Sequence, residues 1–259
     1  MRIVFIGAGR LATHLALALK KAGHDIVQVY SRTMDSAKNL ADRVDAVPLT
    51  DSSAVLVWAD AFIFAVSDSA LQDLTEKICK EREDAVMIHT AGSMPMDVFQ
   101  GKCKHYGVLY PMQTFSKERP VDFAEIHCFV EYNDATSEKA IKKLACSVSN
   151  HVHELSTEER RYLHLAAVFA CNFANHCYAL SAEILEQHGL SFDIMLPLVQ
   201  ETASKVRHLS PKKAQTGPAV RFDVNVINRQ MELLGESTTM SEIYKLMSES
   251  IHNYSKSSS

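Results

Sequence analysis

The sequence predicts an α/β protein, a doubly wound Rossmann domain followed by an all-α C-terminal domain. Three observations carry this expectation. Short apolar β-type runs alternate with helical stretches as far as residue 155; the β signal then stops and helical periodicity takes over; and the first strand runs straight into Gly7-Ala8-Gly9. Alternation of this kind builds a parallel sheet with helices over both faces.

In chain order, strands are expected at 2–6, 25–30, 46–49, 61–66, 85–89, 107–110, 128–132 and 151–155, with helices at 11–22, 36–42, 71–80, 96–100 and 138–147. Ser156 and Glu159 then form a capping-box pattern that opens a long helix. It runs through Leu163, Ala167, Ala170, Phe173, Leu180 and Ile184 without Gly or Pro until Gly189. About thirty residues at ~1.5 Å rise give it a length of ~45 Å. A second helical stretch follows Asp193, with Pro197 as a possible break, and Asp223 and Thr239 read as N-caps of two more, Thr239 with Glu242 as a capping box. The domains are therefore expected at 1–155 (Rossmann) and 156–254 (helical). The Ser-rich tail at 255–259 is expected to be disordered.

Composition narrows the function. With 47% hydrophobic residues in 259, the chain can bury a core larger than one average domain needs. A net charge of −4 gives no basic field for phosphates, so nucleic acid is not an expected partner. No apolar run is long enough to span a bilayer, and the apolar first strand leaves no room for a secretory signal, so a soluble, cytoplasmic protein without membrane attachment is expected. The six cysteines (79, 103, 128, 146, 171 and 177) include no C-x-x-C pair; they read as reduced structural residues, and no metal site is expected.

Gly7-Ala8-Gly9-Arg10-Leu11-Ala12 is G-x-G-x-x-A placed between a strand and a helix, the context that gives the motif its meaning. Gly7 allows the tight turn, Gly9 lets a pyrophosphate approach the backbone, and Ala12 lets the helix pack closely. The helix N-terminus then holds the negative charge. After the second strand, where an acid would bind the ribose 2′-OH of NAD, stands Ser31-Arg32-Thr33. A guanidinium flanked by hydroxyls suits a 2′-phosphate, so the expected cofactor is NADP (NADPH).

Ligands of open α/β sheets sit beyond the carboxyl ends of the strands, which directs attention to Val66-Ser67-Asp68 and His89-Thr90-Ala91-Gly92-Ser93. Val66 and Ser67 join the expected cofactor-binding residues, and Ser93 is a candidate for substrate binding. His89 reads either as a titrating cleft group or as a histidine bonded to a loop carbonyl. Tyr110-Pro111-Met112-Gln113-Thr114-Phe115 reads as a structural turn after a strand. On the long helix, His164, Asn172 and His176 fall near one stripe, with a cleft-lining role for His164 and Asn172 weighed against a helix–helix contact. The long polar loop 211–223 contributes Thr216 and Arg221; Arg221 reads either as a clamp for an anionic group or as a partner of Asp223.

With these residues in place, the chain resembles the superfamily of 6-phosphogluconate dehydrogenase, pyrroline-5-carboxylate reductase and imine reductases. Nearly the whole chain is similar to an uncharacterised family that joins a Rossmann-like NADP-binding domain to a helical domain of unknown function. The carrying segments are GAGRLA (7–12), YSRT (30–33), HTAGS (89–93), YPMQTF (110–115), HLAAVFACNFAN (164–175) and TGPAVRFD (216–223). The resemblance implies a 6-phosphogluconate dehydrogenase C-terminal-like helical fold. Two departures stand out. The catalytic Lys that the hydroxyacid dehydrogenases carry four residues before an Asn is Val168 here, and Phe222 replaces the Gly of an R-G-D motif.

The resulting expectation is an NADP-dependent oxidoreductase moving a hydride to or from a small polar, anionic carbonyl, imine or hydroxy compound. His164 or His89 would donate the proton, Asn172 would orient the substrate and Arg221 would hold its anionic group. The alternative is a non-catalytic NADP-binding sensor or interaction protein with a dimerising helical domain. A helix this long also predicts a homodimer through the helical half.

Overall fold

The computed structural model describes residues 1–259 except Glu83, Lys117, Glu118, Glu236, Ser237, Ser258 and Ser259. The chain forms β1 (Arg2–Ile6), α1 (Arg10–Lys21), β2 (Asp25–Tyr30), α2 (Met34–Val44), β3 (Val47–Leu49), β4 (Ala61–Phe64), α3 (Asp68–Ile78), β5 (Val86–His89), β6 (His105–Pro111), β7 (His127–Tyr132), α4 (Ala135–Val148) and β8 (His151–Glu154). All eight expected strands are present, their ends moved by no more than two residues. They make one sheet in the order β3-β2-β1-β4-β5-β6-β7-β8. Pairing is parallel except between β6 and β7.

Period-2 alternation explains how the sheet is buried on both sides. From β1, Ile3 and Phe5 pack with Leu15, Leu19, Leu40, Ile141 and Leu144 of α1, α2 and α4. Val4 and Ile6 point the other way and pack with Phe62, Phe64, Leu71, Ile78 and Phe99 on the α3 side. Helices thus cover both faces, as a doubly wound sheet requires. A closed neighbour of the α3 side is the pair Cys79 and Cys103, which form a disulfide with a Cα separation of 5.8 Å. This corrects the expectation that all six cysteines are reduced: the short 3₁₀ turn Met96–Phe99 folds the chain back so that Cys103 meets the end of α3.

The Ser156–Glu159 capping box forms as expected and starts α5 (Thr157–Ala167). Residues Val168–Phe173 are π-helical rather than α-helical, and α6 (Ala174–Gln187) follows. The chain divides into two compact units, Met1–Cys171 and Asn172–Ser259. The expected boundary at 155/156 marks the end of the sheet, but α5 stays with the first unit because Arg160 and His164 pack onto the sheet's loops.

In the second unit, α7 (Leu196–Lys205) carries Pro197 in its first turn, where proline is tolerated, so Pro197 starts this helix instead of breaking it. Then come α8 (Pro211–Ala214), α9 (Pro218–Arg221), α10 (Val224–Leu234) and α11 (Thr239–Lys256). Asp223 caps α10 by accepting from the Val226 amide, as expected. The α11 cap is Thr238 with Ser241, one residue before the expected Thr239 and Glu242. The helix also continues through Lys256, so the first part of the expected disordered tail is helical; Ser258 and Ser259 lie outside the described residues.

Phe222 occupies the position of the glycine in R-G-D, and it adopts the conformation a glycine would: φ is 52° and ψ 51°. The left-handed region costs an L-residue ~1–2 kcal/mol. Its ring stacks on His252 with centroids 4.3 Å apart. Phe222→Ala removes the stack and keeps the backbone cost, whereas Phe222→Gly removes both. Thermal denaturation should therefore show Phe222→Ala to be less stable than Phe222→Gly, by ~1 kcal/mol, with a lower melting temperature; equal or reversed ranking would disprove the strain.

Candidate functional site

The strand order reverses between β1 and β4, and the crevice at their carboxyl ends is where such sheets bind ligands. Gly7 turns the chain there with φ +117°, and its amide donates to the Tyr30 carbonyl at 2.8 Å. A Cβ at Gly7 would lie 2.2 Å from the Ala65 carbonyl oxygen, so no other residue fits. A Cβ at Gly9, by contrast, would meet nothing within 4 Å. Helix α1 begins beside that opening with no side-chain cap and no acidic residue in its first turn, leaving its N-terminal amides for an anion.

A cavity of about 470 Å³ lies over this turn, walled by residues 7–11 (Gly-Ala-Gly-Arg-Leu), Ser31, Arg32, Val66 and Ser67, and continues to Thr90 and Ala91. These residues fit a dinucleotide: a phosphate cradle at Gly9, and a cationic, hydroxyl-bearing rim at Ser31 and Arg32 for a phosphorylated ribose. Of the expected cofactor residues, all but Thr33 line the cavity; the Thr33 hydroxyl donates to Ser36, and Ser36 takes its place on the wall.

Beyond Ala91 the β5 loop is held from behind by Arg160, whose side chain is buried. Its Nη1 donates to the carbonyls of Ala91, Gly92 and Met94 at 2.9, 3.0 and 2.7 Å. Its Nη2 donates to Glu131 of β7 at 2.9 Å and to Thr157 at 3.2 Å. Glu131 in turn accepts from the Thr157 amide and hydroxyl, both at 2.9 Å. A buried guanidinium is tolerated only with such partners, and Nε alone has none. A trans peptide sets C=O and N–H on opposite sides, so the amides of Gly92 and Ser93 face away from Arg160. Among the described residues neither has a protein acceptor.

His89, a candidate proton donor from sequence, is fully buried beneath this loop. Its Nδ1 accepts from the Ala91 amide at 3.2 Å, which leaves Nε2–H to donate to the Pro95 carbonyl at 3.3 Å. Burial, and then the Arg160 charge, push its pKa down to about 3. With both nitrogens occupied and the ring neutral, His89 has no proton to exchange with a substrate; its role corrects to that of a loop strut.

His164 is placed differently. Half-buried on α5, it rests against Gly92, where a Cβ would lie 2.5 Å from Nδ1. The hydroxyl of Tyr110, at the carboxyl end of β6, lies 3.0 Å from the same Nδ1, with the rings edge to face. Burial raises the Tyr110 pKa above its usual 10, so the phenol keeps its proton. Sequence reasoning took Tyr110 for part of a turn; its place at the end of a buried strand, opposite the β5 loop, was the available signal. Ser93 donates its hydroxyl to Asp68, the first residue of α3.

The remaining candidates belong to the second unit. Asn172, Thr216 and Arg221 are all exposed there. No Arg221–Asp223 ion pair forms; the Asp223 carboxylate caps α10 instead. His176 and Asn175 are exposed as well. Among the described residues no group of three His, Cys, Asp or Glu side chains is placed to hold a metal, and no helix is long and apolar enough to cross a membrane.

The neutrality of buried His89 has a pH signature. Below the unfolded imidazole's pKa of ~6.5, the unfolded chain binds a proton that the folded chain refuses. Stability is then present above ~6.5 and falls with decreasing pH towards 3, by up to ~1.4 kcal/mol per unit. Urea denaturation at pH 7 and pH 5 should show this loss, and His89→Gln should flatten the slope whatever its own stability; an unchanged slope would remove His89 as its source.

The description NADP oxidoreductase coenzyme F420-dependent matches residues 2–92, and Domain of unknown function (DUF2520) matches residues 126–251. Among curated proteins none matches the chain significantly. Among solved structures, a protein from Bacteroides fragilis provisionally named an NADP oxidoreductase is 51% identical, with 97% of this chain and 98% of that chain covered and a TM-score of 0.94. A Thermotoga maritima protein is 22% identical over 98% of this chain and all of that one, with a TM-score of 0.78. An imine reductase from Myxococcus stipitatus, in complex with NADP+, is 15% identical over 98% of this chain and 92% of that one, with a TM-score of 0.68; these two share the fold. Identity at half of the positions over nearly the full length of both chains shows that this protein belongs to the family of the Bacteroides protein, NADP oxidoreductases with a Rossmann domain followed by a DUF2520 domain.

Proposed function

We propose that the protein is an NADPH-dependent reductase, also able to run as the reverse dehydrogenase, for a small polar carbonyl, imine or hydroxy compound, with Tyr110 and His164 as its proton-transferring pair. The observation that supports this is the 3.0 Å contact between the Tyr110 hydroxyl and His164 Nδ1, beside Gly92, where the cofactor cavity ends at Ala91. When bound, the nicotinamide supplies or takes the hydride. Arg32 and Ser31 hold the 2′-phosphate, and the α1 amides hold the pyrophosphate. Tyr110, kept protonated by burial, presents a hydroxyl proton to the reacting oxygen or nitrogen of the substrate. His164 returns a proton to the phenol from solvent, which its partial exposure allows. Ser93 and the free amides of the β5 loop orient the polar end of the substrate. Asn172, Thr216 and Arg221 remain candidates from the second unit on which this reading does not rest. The reading includes a cytoplasmic location, which a reductase drawing on a reduced NADPH pool would suit.

The test is NADPH oxidation against a panel of 2-oxo acids, cyclic imines and aldehydes. Tyr110→Phe and His164→Ala should each lower turnover of the active compound by ~10²–10⁴-fold, with NADPH affinity unchanged. Wild-type turnover per folded molecule in either variant would refute the pair.

The same reading includes a homodimer formed through the helical unit. Among its described residues only Ala219, Ser241 and Ser248 are buried, while Leu198, Leu233 and Leu246 are 62%, 86% and 69% exposed. Apolar surface on that scale is ordinarily covered. Light scattering at micromolar concentration should give twice the mass of the 28.9 kDa chain; a monomeric mass would exclude it.

A further inference from the structure

We infer that Arg161 is the anion-holding residue of the substrate site, and that the substrate is a short acid whose carboxylate lies next to the reacting carbonyl or imine. This rests on the reading of Tyr110 and His164 as the proton pair. Arg161 follows the buried Arg160 and differs from it in every respect that matters for a ligand. Its side chain is exposed, and Nε alone is occupied, donating to the Ser93 carbonyl at 3.0 Å. Among the described residues no carboxylate lies within ion-pair reach of it and no other group accepts from its two terminal nitrogens. The Asp68 carboxylate is engaged by the Ser93 hydroxyl. The Glu131 charge is met by Arg160.

The Nε bond matters because it fixes the plane of the guanidinium while leaving the outer edge open, and that edge carries the two parallel N–H groups that grip a carboxylate. Besides Arg160, two residues of α5 touch the β5 loop next to the cavity's end at Ala91: Arg161, at Ser93, and His164, at Gly92. Residues three apart on a helix are neighbours with Cβ atoms roughly 5–6 Å apart. An anion gripped by Arg161 therefore sits within a few bonds of an atom that Tyr110 and His164 can protonate. A 2-oxo or 2-imino acid, whose charge lies next to its reacting carbon, suits that neighbourhood.

The test titrates the full chain loaded with NADPH, by calorimetry, with oxamate and with its uncharged counterpart oxamide. Wild-type protein should bind oxamate more tightly, and Arg161→Gln should lose that preference by roughly ten- to hundredfold, as one charge-assisted bidentate contact is worth. Arg161→Lys should recover part of it. NADPH affinity should stay within about twofold in both variants, which separates a substrate carboxylate from a cofactor phosphate as the group held. The inference is overturned by a wild-type protein that does not prefer oxamate, by an Arg161→Gln variant that keeps the preference, or by a parallel loss of NADPH affinity. Turnover in Tyr110→Phe reports on the proton pair and the oxamate-to-oxamide ratio reports on Arg161, so the two readings fail separately.

Discussion

The buried Arg160–Glu131 ion pair is the constraint on which the rest of the site depends. It joins a helix, a strand and a loop that are separated along the chain by 29 and by up to 69 residues. Taking both charges from water costs several kcal/mol per ion, and only the dense set of hydrogen bonds around the guanidinium offsets that cost. Such a pair adds little net stability over well-packed apolar residues, whereas removing one partner strands the other at ~3–5 kcal/mol. Its contribution is position. With three carbonyls of the β5 loop turned towards Arg160, the path of residues 91–94 is fixed, and with it the ground on which His164 stands.

How much of this was legible in the sequence follows from the range of each interaction. The strands of the sheet and the caps at Ser156 and Asp223 depend on near neighbours, and the periodicity of apolar residues or a capping pair records them. The glycine turn was legible for the same reason: strand, Gly7 and helix are contiguous. Arg160 was not legible. In Ser-Thr-Glu-Glu-Arg-Arg it sits among charges that read as a solvated first turn, and Glu131 and the loop carbonyls that bury it are far away in sequence. Cys79 and Cys103 were missed similarly, since their spacing matches no short motif and only the 3₁₀ turn between them brings them together. The π-helical stretch Val168–Phe173 leaves no composition signal, because Val, Phe, Ala and Cys suit an α-helix equally.

Phe222 shows an aromatic residue held in a left-handed conformation that glycine ordinarily takes. The left-handed turn forms although the residue carries a Cβ and a ring. The ring of His252 supplies contact that only a large side chain can use, so backbone strain and ring stacking oppose each other at one position. Specificity of shape is retained at a small cost in stability, as is common where a turn matters more than its own energy.

The two histidines at the β5 loop explain why residue type alone could not assign the proton donor. His89 and His164 are both within hydrogen-bonding or contact distance of the same few residues, and both were candidates. Burial divides them. His89 has no exposed surface and two fixed partners, so protonation would require moving a charge into the apolar floor of the sheet beside Arg160. His164 has one nitrogen on a phenol and a ring that remains partly open to water. A proton relay needs one end in contact with solvent and the other in contact with the reacting group, and its members must be able to change protonation without collapse of their surroundings. Under the proposed function the contact of His164 with Tyr110 suits those conditions: burial keeps the proton on the phenol, and the imidazole beside it is partly exposed.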